Sequence, residues 1–146
     1  MTASTREEIK VGEMAIRFLL EGEQSGGSVA MFEFGVPAGS KVPAPHSHDG
    51  YEETIYGLEG TLVWTLEGES HEVGPGEVLC IARGSVHHFA NTGDLDARAL
   101  AIVTPGILGP DYFCEVAAVL DAAAGGPPDL AAIGAVMRRH GLTPVA

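Results

Sequence analysis

Basic residues are scarce in this chain of 146 residues: eight Lys and Arg stand against twenty Asp and Glu, and the formal net charge at pH 7 is −12. A charge of this sign repels nucleic-acid phosphates and anionic lipid surfaces. The sequence also lacks any run close to the roughly 20 apolar residues that span a bilayer, and its first residues, MTASTREEIK, do not resemble a signal peptide. We therefore expect a cytoplasmic protein that has neither nucleic acid nor membrane as a partner.

Cysteine is almost absent as well. The sequence has two, Cys80 and Cys114, which lie far apart and form no CxxC or zinc-knuckle pattern. This excludes a cysteine-based zinc module. We expect both to be small buried side chains in a reducing compartment, with a disulfide between them as the less favoured alternative.

Glycine and proline, in contrast, are frequent, with 20 and 9 residues. They cluster between short β-rich runs, which is typical of a β-barrel or jelly roll. Residues 9–20 alternate in hydrophobicity and predict one strand, residues 22–28 predict a hairpin loop and residues 29–36 the returning strand. Further strands are predicted at residues 61–66, 78–82 and 98–104. An all-β barrel is therefore predicted over about residues 9–104. The length of the chain predicts a single domain over residues 1–146.

Beyond the barrel the hydrophobic period changes to that of a helix. A first helix is predicted from about Pro110 to Ala123, and a second from near Asp129 to Gly141. The apolar face of the second would consist of Leu130, Ile133, Val136 and Met137. This C-terminal extension, about residues 110–141, would serve as a lid, as a brace between two copies or as a plain cover for one end of the barrel.

The sequence His46-Ser-His48 is the strongest functional signal. In an extended strand, residues two apart point to the same face about 6.6 Å from each other, so both imidazoles can bind one ion. Glu53 and His87 offer a carboxylate and a third imidazole. Such a mixed nitrogen and oxygen set holds transition metals and leaves coordination positions open for chemistry.

Two segments around these residues resemble the two motifs of the cupin superfamily. The first is the stretch GSKVPAPHSHDGYEETIYGLEG at residues 39–60, and the second is carried by Gly76, Gly84, His87 and Asn91. Two positions depart from the family pattern: Gly39 lies one residue further from the first histidine than usual, and Ala82 replaces a proline. The resemblance covers about residues 30–104 and leaves every candidate ligand in place.

The resemblance implies a double-stranded β-helix barrel that binds one divalent transition metal, which would be iron, manganese, nickel, copper, cobalt or zinc. The implied ligands are His46, His48, Glu53 and His87. Glu53 rather than Glu52 matches the family's ligand position seven residues before Gly60, and strand alternation turns Glu52 to the opposite face. The same alternation separates His87 from His88.

Aromatic residues near the motifs are candidates for a substrate pocket, although in a small barrel each is as readily plain core. The candidates are Phe32, Tyr56, Trp64 and Phe89, together with Phe34 and Tyr51. Glu52, Arg83 and His88 are possible proton-transfer or orienting groups, with a surface role as the alternative for each. His71 and His140 are expected to be solvent-exposed.

The layout of the chain resembles small bacterial cupins described as quercetin dioxygenase-like. That resemblance implies a dioxygenase that uses O2 to cleave a flavonol or related enolic compound, and a homodimer. Two alternatives stay open: a non-catalytic cupin that binds a metal or small ligand, and a metal-dependent isomerase or decarboxylase that needs no oxygen.

Overall fold

The computed structural model describes residues 7–40 and 44–145. Strands and helices follow in the order β1 (Ile9–Val11), β2 (Met14–Leu20), β3 (Ala30–Val36), β4 (His46–His48), β5 (Glu52–Glu59), β6 (Leu62–Leu66), β7 (Glu69–Val73), β8 (Val78–Ile81), β9 (His87–Ala90), β10 (Ala97–Thr104), α1 (Pro110–Ala122), α2 (Leu130–Arg139) and β11 (Leu142–Pro144).

The strands form two antiparallel sheets. One has six strands in the order β1-β2-β3-β10-β5-β8, and the other has five in the order β11-β4-β9-β6-β7. The crossovers between strands that are distant in sequence are those of a jelly roll. The predicted all-β barrel with two C-terminal helices is confirmed.

Alternation along the strands creates the core between the sheets. In β3 and β10, every second side chain is buried, and all the buried positions of both strands are apolar. Phe34 of β3 meets Trp64 of β6 edge to face at 6.2 Å, and Trp64 stacks on Phe89 of β9 at 4.4 Å. The interior is therefore rich in aromatic side chains.

The first predicted strand is divided in two. The chain turns at Gly12, which has a φ of +62°, and β1 pairs with β2 as a hairpin. Glycine adopts such a left-handed conformation without the steric cost that a Cβ atom would bring. The predicted hairpin loop that follows contains a short 3₁₀ helix at Gly22–Ser25.

The C-terminal extension contains α1 over Pro110–Ala122 and α2 over Leu130–Arg139. Asp129 caps α2 by accepting a hydrogen bond from the backbone N–H of Ala132 at 3.0 Å. Leu130, predicted on the apolar face of this helix, is 66% exposed, because it lies at the first helical turn beyond the packed residues. After α2 the chain forms β11, a strand that the sequence does not predict, and β11 pairs with β4 so that Leu142 lies opposite His48.

Three surface expectations are corrected by the structure. Cys80 is exposed because it lies on the outward face of the edge strand β8, next to the inward Ile81. Cys114 is exposed on α1. His140 is only partly exposed, since its ring N–H donates to a Glu115 carboxylate oxygen at 2.5 Å.

Among the described residues, no helix is long and apolar enough to cross a membrane.

Candidate metal centre

Two neighbouring strands bring three histidines together. His46 and His48 leave β4 on the same side, and the antiparallel register places His46 directly opposite His87 of β9. One ring nitrogen of each histidine lies within 4.8 Å of those of the other two. The structure thus collects on one face the three imidazoles that the sequence spacing singled out.

Backbone carbonyls orient two of these rings. His46 Nδ1–H donates to the carbonyl of Ala44 at 3.0 Å, and His87 Nδ1–H donates to that of Ser85 at 2.9 Å. A proton held on Nδ1 leaves the Nε2 lone pair free, which is the arrangement in which histidine binds metals. The third ring, His48, stacks on Tyr51 at 4.4 Å, and its buried Nδ1 has no partner among residues 7–40 and 44–145.

The three rings are neutral at ordinary pH. Burial, with the nearby His87, lowers the pKa of His46 to about 4 and that of His48 to about 2, and burial also lowers the pKa of His87. Neutral imidazole is the form that ligates a metal. The converging, uncharged rings therefore fit a metal ion.

The two adjacent glutamates of β5 lie in opposite environments. Glu53 is 8% exposed, and its Oε1 lies 4.0 Å from His87 Nε2. Burial raises the pKa of Glu53 to about 7. Glu52 faces outward and accepts hydrogen bonds from Arg83 Nε at 2.5 Å and Nη2 at 2.8 Å, and this pairing lowers its pKa to about 2. The structure brings Glu53, and not Glu52, to the histidines.

The histidines and Glu53 line a largely apolar cavity. The volume of the cavity is about 70 Å³. Its walls are Met14, Ile16, Phe32, Phe34, His46, His48, Glu53, Trp64, His87, Phe89, Leu108, Tyr112, Phe113 and Leu142. The cavity therefore has a few polar donor atoms on one side, and its other walls are mostly apolar side chains that exclude water.

The predicted pocket residues divide between inside and outside. Phe32, Trp64 and Phe89 line the cavity. Tyr56 does not: it is 39% exposed on the outer face of β5, because the buried Ile55 takes the inward position beside it. His88 lies on β9 between two inward residues and is partly exposed, opposite Thr65 of β6.

Four wall residues come from the C-terminal segment and were not predicted as site residues. They are Leu108, Tyr112, Phe113 and Leu142. The helical period correctly assigned Tyr112 to an apolar helix face, but no local pattern indicates which surface that face covers. The only hint in the sequence is that two adjacent aromatic residues, Tyr112 and Phe113, stand at the start of the predicted helix.

The motif residues that bind no metal shape turns. Asn91 is 1% exposed; its side-chain amide donates to the carbonyls of Val36 and Leu95 at 3.0 and 2.8 Å. Gly60 has a φ of +63°, and a Cβ atom there would lie 2.5 Å from the Asp96 carbonyl oxygen. Both residues hold the loop before β10 against the sheet.

A comparison with protein-family models gives a match to the cupin domain over residues 32–103. The chain belongs to the cupin superfamily. The matched segment runs from β3 to β10 and contains all four candidate ligands. This cupin therefore carries its histidine cluster within the family's core.

Solved structures show the same fold. A predicted oxalate decarboxylase from Thermotoga maritima has a TM-score of 0.64 and 28% identity, and the alignment covers 72% of this chain and 99% of that one. The polyketide cyclase RemF from Streptomyces resistomycificus has a TM-score of 0.60 and 27% identity, with 77% of this cupin and 88% of that chain covered.

Among curated proteins, quercetin 2,3-dioxygenase of Bacillus subtilis is 22% identical over 109 residues, which is 73% of this chain and 31% of that protein. The chain spans between 31% and 55% of the length of the first curated relatives that it matches. The names of the similar proteins include a dioxygenase, a decarboxylase and a cyclase. Family membership therefore does not select one reaction.

Proposed function

We propose that this cupin is a metal-dependent enzyme that acts on a small, oxygen-rich enolic compound. The observation that carries the proposal is the position of the donor atoms: three neutral imidazoles and a buried carboxylate face a cavity rather than packed core. Buried polar groups without partners cost stability, so such a cluster is maintained where an ion and a ligand use it.

Four residues would hold the metal: His46, His48, His87 and Glu53. Their nitrogen and oxygen atoms suit iron, manganese, nickel, copper, cobalt or zinc. When bound, such an ion supplies Lewis-acid polarisation of a substrate oxygen and, if redox-active, a route for reaction with O2. One carboxylate against a divalent ion leaves a net charge near +1, which favours an anionic enolate oxygen.

The walls favour a flat molecule of limited size. Trp64 and Phe89 are stacked at 4.4 Å and offer aromatic surface beside the histidines. The cavity of about 70 Å³ has room for about five to seven waters, or on the order of 150–200 Å³ of liquid. This is the space of one aromatic ring with its substituents.

Within this class we favour O2-dependent cleavage of an enolic compound. The similarity to the Bacillus subtilis dioxygenase over 73% of this chain and the apolar walls support it. An oxygen-independent isomerase or decarboxylase is the second candidate. It is favoured by the similarity to the predicted oxalate decarboxylase from Thermotoga maritima, which is 28% identical and covers 72% of this chain.

Aerobic and anaerobic turnover distinguishes the candidates. The protein would be loaded with each metal in turn and offered a panel of single-ring enols and hydroxy acids. Conversion that requires O2 is the expected result, and conversion that proceeds equally without O2 favours the second candidate. Stoichiometric metal and ligand binding with no turnover in either atmosphere would favour the non-catalytic alternative.

We also propose that the protein forms a homodimer through the edge of the six-stranded sheet. Val78 is 60% exposed on the edge strand β8 and lies opposite the exposed Tyr56 of β5. Unpaired edges with apolar side chains require cover. Sedimentation of the wild type and of Val78→Asp tests this, and a monomer in both would contradict it.

A further inference from the structure

The C-terminal extension contributes one polar group to the cavity wall. Tyr112 lies in the first turn of α1, is 6% exposed and lines the cavity together with Glu53. The other polar groups in the wall are the candidate metal ligands and the indole of Trp64, whose N–H is enclosed by packed atoms. Tyr112 is therefore the hydroxyl that a ligand in this cavity meets.

This hydroxyl has no hydrogen-bond partner within the described part of the chain, and it is not among the polar atoms sealed inside the protein, as the hydroxyl of Tyr51 is. Burial raises the pKa of Tyr112, so the group keeps its proton and can donate. Because the hydroxyl reaches the cavity, an acceptor on a bound molecule can take its hydrogen bond in place of water.

Contacts from both helices fix the ring that carries the hydroxyl. Phe113 packs edge to face against it at 5.0 Å, and His140 does so from the other helix at 5.5 Å. His140 is itself held by Glu115, which also accepts a hydrogen bond from Arg139 at 2.5 Å. A ring held in this way presents its hydroxyl in one direction, as specific recognition requires.

We propose that Tyr112 donates a hydrogen bond to an oxygen of the molecule bound at the metal centre, and so selects single-ring compounds with two neighbouring oxygens. The inference rests on the proposed function. One oxygen of such a compound would bind at the histidine cluster, and a neighbouring oxygen would accept from Tyr112. Compounds that have no second oxygen beside the metal-binding atom would gain nothing from the hydroxyl.

Tropolone, a flat single-ring hydroxy-ketone, is a suitable probe because its near-ultraviolet absorption shifts when it binds a metal, and its second oxygen has a lone pair that can accept from Tyr112 whether or not that oxygen also contacts the metal. Its Kd would be measured for the metal-loaded wild type, for Tyr112→Phe and for Tyr56→Phe, which makes the same chemical change at an exposed position. We expect equal metal content in all three. Tropolone should bind about tenfold more weakly to Tyr112→Phe, as the loss of one buried hydrogen bond predicts, and unchanged to Tyr56→Phe.

Imidazole separates a hydrogen bond from a structural effect, because it binds the metal through one nitrogen and has no free acceptor once bound. Its affinity should be the same in Tyr112→Phe and the wild type. Equal weakening of imidazole and tropolone, or unchanged tropolone binding in a metal-loaded Tyr112→Phe, would overturn the inference and leave the proposed function standing. Failure of the wild type to bind metal would instead overturn the proposed function.

Discussion

The barrel strands and the C-terminal extension contribute to the same cavity in different ways. β4, β5 and β9 supply the candidate metal ligands, whereas the segment from Leu108 to Leu142 supplies apolar wall and the hydroxyl of Tyr112. β4 is paired on both sides, with β9 and β11, so its histidines sit on a well-supported backbone. The helices are attached by packing of α1 on β1, of α2 on α1 and by the pairing of β11.

This difference suggests a division between the two regions, in which the barrel binds the metal and the extension shapes the ligand site. Substitutions in the barrel should change metal content, and substitutions in the extension should change stability and ligand selection while the metal stays bound.

The largest effect is expected from His48→Ala. The His48 side chain is 2% exposed, and no other histidine of the described chain is positioned to replace it in the cluster. Loss of one of three imidazoles should lower metal affinity by about a hundredfold or more. Elemental analysis after purification measures this, with His71→Ala on β7 as the control, and full metal content in His48→Ala would contradict the proposed site.

Leu142→Ala tests the other region. Leu142 is 2% exposed, lines the cavity and lies opposite His48 across the β4–β11 pair. Its truncation should lower the free energy of unfolding by about 2–4 kcal/mol and enlarge the cavity, with metal content unchanged. Chemical denaturation measures the loss, and Leu95→Ala, at a position 74% exposed, is the matched control. Loss of metal in Leu142→Ala would contradict the division between the regions.

Glu53→Gln should raise the stability of the metal-free protein and lower the stability of the metal-bound protein. Burial raises the Glu53 pKa from 4.5 to about 7, so the folded chain binds this proton more tightly than the unfolded chain and loses stability as pH rises between those values. At pH 8, without metal, Glu53→Gln should therefore be more stable than the wild type by about 1–2 kcal/mol. With metal it should be less stable, since a ligand is missing.

Thermal denaturation at pH 8, with and without chelator, measures this reversal. Glu52→Gln is the matched control: it removes the exposed pair with Arg83, and its effect should be small and independent of chelator. A Glu53→Gln variant that is stabilised by metal as much as the wild type would show that Glu53 is not a ligand.

The pH dependence of metal binding should reflect Glu53 more than the histidines. Reference histidine pKa values alone predict a loss of affinity near pH 6, but burial lowers the pKa of His46 to about 4 and raises that of Glu53 to about 7. As the pH falls, protons therefore compete with the metal at the Glu53 carboxylate before they compete at the histidines. Between pH 7 and 6 affinity should fall by up to about tenfold in the wild type and much less in Glu53→Gln, as measured by chelator competition. Equal slopes would contradict this assignment.

Strand alternation explains much of the predicted site, and it also predicts that the aromatic candidate on β5 faces outward. It separates Glu53 from Glu52, and counted onward from Glu53 it also turns Tyr56 outward, which is where the structure has it. The exposure of Cys80 depends on the register of β8 against β5, and neither strand alone encodes that register. Local patterns fix which side chains share a face, but not which element covers that face.

The cavity wall is the clearest case of this limit. Helical periodicity predicts α1 and α2, but the wall also includes Leu142 of β11, which lies opposite His48 of β4 across 94 positions of the sequence. Such pairing depends on the assembled sheet, and three residues of β11 are too few for a period-two pattern to stand out. The candidate ligands could be placed near one another from strand geometry and the cupin motifs, whereas the wall could not be predicted because tertiary contacts place it.

The smallest effect is expected from Glu115→Gln, which weakens the link between the two helices without touching the cavity. Glu115 pairs with Arg139 and His140, and His140 packs on the ring of Tyr112. Exposed ion pairs contribute little, so stability should change only slightly, while tropolone affinity should fall by about twofold because the Tyr112 ring is held less firmly. Glu69→Gln, at an exposed position on β7, is the control. Loss of metal in Glu115→Gln would mean that the extension also supports the ligands, and the two regions would then act as one.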